Sequence, residues 1–172
     1  MAEGSSLEAR IASWPASARK AAETMIQKYG PPNDVTESVL IWRNNGPWKK
    51  TAITSVETPH LFPAPHTDVM EQVIHYRVPP DKVDELASYD GSVTVKRTEG
   101  TMSARCDLEG ANFLALNLAH EIVTGKRNVD EARAFYGEQI KAMKAGQPAP
   151  YTERLLFDPP ADTSDPDKPL EQ

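Results

Sequence analysis

Apolar residues near the N-terminus recur with the spacing of one helix face. The intervals between them suit a period of 3.6 residues, and the residues are Ala18, Ala22, Met25, Ile26 and Tyr29. Ser5 and Glu8 form a capping-box pattern ahead of this run, and Gly30 followed by two prolines ends it. The pattern predicts a helix over residues 7–29 with a kink at Pro15, which suits the first turn of a renewed helix.

The hydrophobic period then changes to that of β-strands. Residues 35–43 and 48–57 are rich in Val, Ile, Thr and Trp, and they flank an Asn-Asn-Gly-Pro sequence at residues 44–47. Asn-Gly is the strongest short signal for a β-hairpin turn. The sequence predicts a hairpin with its turn centred on residues 45–46 and with these facing pairs: Arg43 with Trp48, Trp42 with Lys49, and Val39 with Ala52.

Three prolines in residues 58–67 predict an extended loop after this hairpin. In that extended form, His60 and His66 are separated by about 20 Å. Residues 70–78 alternate between apolar and polar positions, which predicts a half-buried strand. A short helix over residues 80–88 is predicted to follow.

A second hairpin is predicted over residues 93–107. With Glu99 and Gly100 as a two-residue turn, the predicted pairs are Val93 with Cys106, Val95 with Ala104, and Arg97 with Met102. This register gathers the apolar side chains on one face together with Arg97, and a slip of one residue would destroy the separation.

Two helices complete the predicted domain. Asp107 stands where it can cap the first, over residues 108–124, and Asn128 with Glu131 forms a capping box for the second, over residues 129–144. Tight hairpins without a long βαβ alternation predict an α+β fold for residues 1–157. Its expected architecture is an antiparallel sheet of about five strands with helices packed on one face, namely an N-terminal helix and a C-terminal helix pair.

Length and charge limit the classes of protein to which this chain can belong. A chain of 172 residues is one domain with its own core. Of the net charge of -6, residues 158–172 carry -4 (four Asp, one Glu, one Lys), which leaves -2 for residues 1–157. The near-neutral body argues against nucleic-acid binding, which depends on clustered Lys and Arg. The acidic, Pro-rich tail of residues 158–172 is predicted to be disordered.

Cysteine usage and hydropathy indicate a cytoplasmic protein without a membrane partner. The single Cys106 excludes an intramolecular disulfide, and the first residues resemble no secretory leader. The longest apolar stretch, residues 113–123, falls short of the about 20 residues that a membrane span requires. The oligomeric state is left open.

Motifs for nucleotide binding, zincin, α/β-hydrolase and EF-hand chemistry are absent from the sequence, and no cofactor is predicted. Candidate metal ligands nevertheless lie in the Pro-rich segment, because imidazole and carboxylate groups bind zinc or iron. They are His60, His66 and Asp68. Since the prolines favour an extended loop, the sequence argues against one ion shared by both histidines.

A polar stripe follows the otherwise apolar helix over residues 108–124. Asn117, His120, Glu121 and Thr124 are spaced i, i+3, i+4 and i+7, so they share one face. Buried polar groups need hydrogen-bond partners. That partner is either a ligand, with His120 as general base and Glu121 as acid or orienting group, or a neighbouring helix or water.

Cationic residues define a third candidate site on the polar face of the predicted sheet. They are His75, Arg77, Lys96 and Arg105, which together would attract an anion. The other interpretation is a solvated face balanced by carboxylates such as Glu71. Cys106 falls on the apolar face and is interpreted as a small core residue.

The sequence therefore favours a binding domain for a small anionic ligand or a protein partner. The predicted ligand-binding residues are His75, Arg77, Lys96, Arg105 and Asn117. A metal-assisted hydrolase built on His60, His66 and Asp68 is the alternative. A structural or assembly subunit that uses the acidic tail as a contact segment is a third reading.

Overall fold

The computed structural model describes residues 6–171, where runs of strands are separated by single helices or pairs of helices. The α-helices of this part are α1 (Leu7–Ala12), α2 (Ala16–Tyr29), α3 (Val83–Tyr89), α4 (Glu109–Val123) and α5 (Val129–Lys144). Its strands are β1 (Asp34–Val35), β2 (Val39–Asn45), β3 (Trp48–His60), β4 (His66–His75), β5 (Val93–Lys96) and β6 (Thr101–Cys106). Short 3₁₀ helices lie at Pro80–Lys82 and Pro150–Thr152.

The six strands of residues 6–171 form one antiparallel sheet in the order β1-β2-β3-β4-β6-β5. The predicted α+β fold is confirmed. The strand count exceeds the predicted five because β1 adds a two-residue edge strand beside β2. Over the same residues, no helix has the length and apolar character needed to cross a membrane.

Alternation along β4 decides which face of the sheet carries the helices. Met70, Gln72 and Ile74 are buried, and their even spacing places them on one side of the strand. Met70 belongs to the core formed with α1 and α2, whereas Ile74 belongs to the core formed with α4 and α5. Both helix layers therefore pack on the same face of the sheet, as the sequence predicts.

The first hairpin forms with a register two residues away from the predicted one. Asn45 pairs with Trp48, so residues 46–47 make the turn, and the remaining pairs shift accordingly: Arg43 with Lys50, Trp42 with Thr51, and Val39 with Thr54. The predicted pairs were wrong because Asn44 and Gly46 adopt the positive φ angles, 51° and 59°. A shift of two residues leaves each side chain on its predicted face of the sheet, since the side-chain period of a strand is two.

The second hairpin also differs from its prediction by two residues. Val93 pairs with Ala104 and Val95 with Met102, so a four-residue loop, 97–100, replaces the predicted two-residue turn. Gly100 closes this loop with a φ of +62°. Because the shift is again even, the apolar side chains still share the helix-bearing face.

Helix boundaries follow local capping chemistry. The side chain of Ser6 caps α1, whereas the predicted Ser5 lies outside the described residues. The predicted N-terminal helix is two helices, because Pro15 occupies the N-cap of α2. Asp107 does not cap α4, whose N-cap is Leu108, but the capping box of Asn128 and Glu131 on α5 is confirmed.

The acidic tail contacts the sheet. Thr163 is only 4% exposed, and Asp167 forms an ion pair with Arg97. Thr163 is therefore buried and not solvated, while the predicted disorder of residues 158–172 stays a prediction. Composition alone could not show this, because the partners of the tail are distant in sequence: Arg77 follows the end of β4, and Arg97 lies in the loop between β5 and β6.

Candidate metal centre

The Pro-rich segment folds back on itself as the end of a β-hairpin. β3 continues to His60 and β4 starts at His66, and these two histidines face each other across the strand pair with ring centroids 4.8 Å apart. Pro59 occupies a strand position opposite Thr67. The predicted extended loop is therefore wrong, because the chain reverses direction within residues 61–65.

Both histidines converge on one carboxylate oxygen. His60 Nδ1 and His66 Nε2 each lie 3.2 Å from Asp68 Oδ1. The Asp68 side chain is 2% exposed, while the two imidazoles are 15% and 16% exposed. The hairpin register thus assembles the three residues that the sequence proposes as metal ligands.

The second nitrogen of each imidazole has its own acceptor. His66 Nδ1 lies 2.8 Å from the Ala64 carbonyl oxygen, and His60 Nε2 lies 3.5 Å from Asp90 Oδ1. A carbonyl oxygen can only accept, so Nδ1 of His66 carries a hydrogen. In a neutral ring, Nε2 is then a lone-pair acceptor that faces the Asp68 carboxylate. A proton or a metal cation between these two acceptors removes the repulsion.

Hydrogen bonds, burial and neighbouring charges shift the pKa values of the cluster's side chains. Hydrogen bonds with Asp68 and Cys106 raise the pKa of His66 to about 11, in spite of burial, which lowers it. Burial alone would raise the pKa of Asp68, but hydrogen bonds from His66 and Ser92, with the neighbouring His60, outweigh it and lower that pKa. Burial raises the pKa of Asp90. Without a metal, His66 and Asp68 therefore form an ion pair.

A buried thiol lies beside the cluster. Cys106 faces Met70 in the β4–β6 pairing, and its Sγ lies 3.5 Å from His66 Nε2 and 3.4 Å from Asp107 Oδ1. His60, His66 and Asp68 offer ligand atoms within 4.8 Å of one another, and so do His66, Cys106 and Asp107. The two sets share His66. Burial raises the pKa of the Cys106 thiol, so the neutral thiol is its ordinary form.

A cleft of about 80 Å³ opens beside the second set. His66, Cys106 and Asp107 lie at its base, and Lys144 lies on its rim. Its walls are mostly apolar and come from the β3–β4 loop, α4 and α5: Pro63, Ala64, Pro65, Leu108, Ala111, Tyr136, Ile140 and Met143. The space suits a short apolar group of a few heavy atoms, since it is several times the about 10–15 Å³ of cavity volume that one water requires.

The polar stripe of α4 meets the chain itself. Asn117 bonds to backbone groups of residues 151, 154 and 156, and Glu121 accepts hydrogen bonds from Tyr151, Lys126 and Arg127. His120 Nδ1 lies 2.7 Å from the Tyr76 hydroxyl, and its ring stacks on Phe157. Burial lowers the pKa of His120. The stripe therefore anchors residues 150–157, and these contacts engage both catalytic candidates, His120 and Glu121.

The candidate anion site is only partly assembled. His75 and Lys96 both face Thr101 and so lie in one row across the sheet. Arg105 lies four residues further along β6, about 13 Å away, opposite Glu71. Arg77 lies beyond the end of β4, and it donates a hydrogen bond to the Ser164 carbonyl oxygen in the acidic tail. Asn117 belongs to the α4 stripe and not to this face.

Sequence reasoning missed four residues around the metal cluster. Asp90 and Ser92 follow α3 and reach His60 and Asp68 from a different part of the chain. Cys106 is buried, as expected of a core residue, yet it also contacts His66. Asp107, expected to cap α4, instead faces the thiol. The Cys106-Asp107 pair at a strand end was the available signal.

Comparisons with protein-family models, with curated proteins and with solved structures find no significant match. Functional inference therefore depends on the geometry of the described residues.

Proposed function

We propose that the protein binds a transition-metal ion through His60, His66 and Asp68. The observation that carries this proposal is the convergence of two imidazole nitrogens on Asp68 Oδ1, at 3.2 Å each, while the other nitrogen of each ring is engaged by an acceptor. Metal-bound histidines typically donate their second N–H to a carboxylate or a backbone carbonyl. Asp90 and the Ala64 carbonyl occupy these two positions.

Zinc fits the donor set best. Ligand atoms about 2.0–2.2 Å from a tetrahedral zinc ion lie about 3.3–3.6 Å from each other, close to the observed 3.2 Å separations. Two imidazoles and one carboxylate are a common ligand set of catalytic zinc. Binding would displace the proton that His66 holds against Asp68, because a metal ligand must present its lone pair.

Metal-assisted hydrolysis is the activity that this arrangement supports. Three protein ligands leave a zinc coordination position for water, which the ion activates for attack on an ester or amide carbonyl. His66 links the cluster to the cleft, where Cys106 and Asp107 lie beside the apolar walls. In the proposed hydrolysis, water would add to the carbonyl carbon and the bond to the leaving group would break. Asp107, which lies near His66 and Cys106, would take the proton from the water and return it to the leaving group. A short acyl group matches the cleft volume.

Binding of an anion or a protein partner, which the sequence favours, has weaker support at the predicted residues because Arg105 and Asn117 lie apart from the others. A cytoplasmic location, also expected from the sequence, would keep the Cys106 thiol reduced.

Metal analysis of the full-length protein tests the proposal. We expect about one zinc ion per chain after incubation with zinc and removal of excess, and a loss to below about one tenth in His66→Ala and Asp68→Asn. His75→Ala is the matched control, because His75 is an exposed histidine of the same strand that contacts neither ligand set.

Hydrolysis is measured with p-nitrophenyl acetate on the zinc-loaded protein, on the chelator-treated protein and on the same variants. We expect activity only with zinc and only where both ligands remain. Circular dichroism verifies that each variant is folded. A wild-type protein that retains no zinc, or a His66→Ala variant that retains as much as the wild type, would show the proposed metal centre to be wrong. If the protein binds one zinc ion per chain but does not hydrolyse the ester, the metal centre stands and the hydrolase assignment is wrong.

A further inference from the structure

The C-terminal acidic segment is seated on a row of basic side chains at one end of the sheet. We call His75, Arg77 and Arg97 the cationic strip. Thr163 Oγ1 lies 3.5 Å from His75 Nδ1, and Arg77 donates a hydrogen bond to the Ser164 carbonyl oxygen at 2.5 Å. Arg97 donates from Nη1 and Nη2 to the two carboxylate oxygens of Asp167. The strip therefore contacts residues 163–167 of the chain along their length.

Gly100 shapes the strip for a peptide backbone. A Cβ at position 100 would lie 1.7 Å from the Thr163 carbonyl oxygen and 2.7 Å from Thr163 Cβ. Because Gly100 has no side chain, Thr163 can occupy the space beside its Cα. Thr163 is 4% exposed, whereas the other residues of 161–171 are exposed, so the seat is centred on this residue.

The contacts recognise general features of an acidic peptide. Arg77 contacts a backbone carbonyl that any residue supplies, and Arg97 forms a bidentate pair that is specific for a carboxylate. Pro166 and Pro169 restrict the backbone of the segment, which reduces the entropy lost on seating. The Arg97 pair is exposed on both sides, so it is screened by salt and exchangeable.

We propose that the cationic strip is a binding site for an extended acidic peptide of a partner protein, with the C-terminal segment as its resident competitor. The required ligand is an extended stretch with a small residue over Gly100 and a carboxylate four positions later, as Thr163 and Asp167 provide. His75 shares β4 with the metal cluster, but it lies at the opposite end of that strand, and no strip residue belongs to either ligand set, so the proposal does not rest on the proposed function. A tethered competitor acts at a high effective concentration, so an outside peptide binds weakly until the segment is displaced.

Fluorescence anisotropy with a labelled synthetic peptide of residues 158–172 tests this proposal on the full-length chain. Thr163→Lys with Asp167→Lys unseats the internal segment, because it places a lysine in the buried position and another against Arg97. We expect the peptide to bind this double variant at least about tenfold more tightly than it binds the wild type. Affinity is expected to fall as salt rises, since the contacts are ionic and exposed.

Adding Arg97→Glu to the double variant is expected to weaken peptide binding by at least about tenfold, because the carboxylate then meets a like charge. Arg43→Glu in the same background is the matched control: Arg43 is an exposed arginine of β2, away from the strip, and is expected to leave affinity unchanged. Equal peptide affinity of the wild type and the double variant, or insensitivity to Arg97→Glu, would overturn the proposal. Circular dichroism confirms that each variant is folded.

Discussion

Replacing Glu109 probes the contacts that fix the start of α4, next to the cleft. Its Oε2 accepts hydrogen bonds from the Tyr29 hydroxyl at 2.7 Å, Trp48 Nε1 at 2.8 Å and Gln72 Nε2 at 3.1 Å, and its Oε1 contacts Lys28. The carboxylate side chain is 9% exposed, so it joins α2, the first hairpin, β4 and α4 inside the protein. Loss of this group leaves several donors without an acceptor.

The structure separates the expected effects of two variants. Glu109→Ala removes the acceptor of the Trp48 indole, which is 1% exposed, while Gln72 retains Thr51 and Tyr29 can reach water. One orphaned buried donor costs about 1–3 kcal/mol, and the lost charged hydrogen bonds add to it, so we expect about 3–5 kcal/mol in total. Glu109→Gln can keep its carbonyl oxygen at the Oε2 position and turn its amide toward Lys28. We expect about 1–2 kcal/mol for this variant.

The pH dependence of stability gives a second readout. Burial alone would raise the pKa of Glu109, but hydrogen bonds from Lys28, Tyr29 and Trp48 outweigh it and lower that pKa. The unfolded chain therefore binds the proton more readily than the native protein. The stabilisation is fully present above the ordinary carboxyl pKa of about 4.3, and it is lost as pH falls through the lower native value.

Urea unfolding at pH 7 and at low pH measures both effects. We expect the difference between wild type and Glu109→Gln to shrink as the pH falls below about 4. Glu138→Gln is the control, because Glu138 is an exposed glutamate of α5, and its effect should stay within about 0.5 kcal/mol. The reasoning is refuted if the two Gln variants are equally stable at pH 7, or if the difference grows in acid.

Three further outcomes are expected. Gly100→Ala should destabilise by about 1–2 kcal/mol more than Gly146→Ala in urea unfolding, because both glycines have φ above +60° but only Gly100 meets Thr163; equal losses would contradict the seating of the tail. Zinc at a hundredfold excess over its Kd should stabilise by about 2.7 kcal/mol, or about 5–10 °C in Tm, and should not shift His66→Ala. Asn117→Ala should cost about 2–4 kcal/mol because it loses three bonds to residues 151–156; a change under 0.5 kcal/mol would show that this seam is not needed.

Side-chain patterning predicted the faces of the strands but not their exact partners. Both hairpins differ from prediction by two residues, as in the Val93 and Ala104 pair. An even shift leaves every side chain on the same face, so the hydrophobic pattern cannot distinguish the two registers. Turn geometry decides between them, and it depends on which residues adopt positive φ, here Asn44, Gly46 and Gly100. Fold class follows from the faces and was therefore predictable.

The polar stripe of α4 shows a different limit. Its spacing correctly indicated that Asn117, His120 and Glu121 would require specific partners. The partners are Tyr76, Lys126, Arg127 and residues 151–157, which come from several parts of the chain. A ligand and a packed segment of the same chain make identical demands on buried polar groups, so the sequence could not distinguish a catalytic stripe from a structural seam.

Prediction of the metal cluster from the sequence depended on one inference about chain direction. The sequence supplied His60, His66 and Asp68 as candidates, and proline stiffness then argued against a shared ion. Proline fixes its own φ and removes one N–H, but it does not prevent chain reversal in the residues between. The five residues between the two histidines match a common length for a hairpin connection, and Pro59 fits a strand position opposite Thr67. Histidines that flank such a connection face each other across the strand pair. Loop length therefore carried more information about the cluster than proline content did.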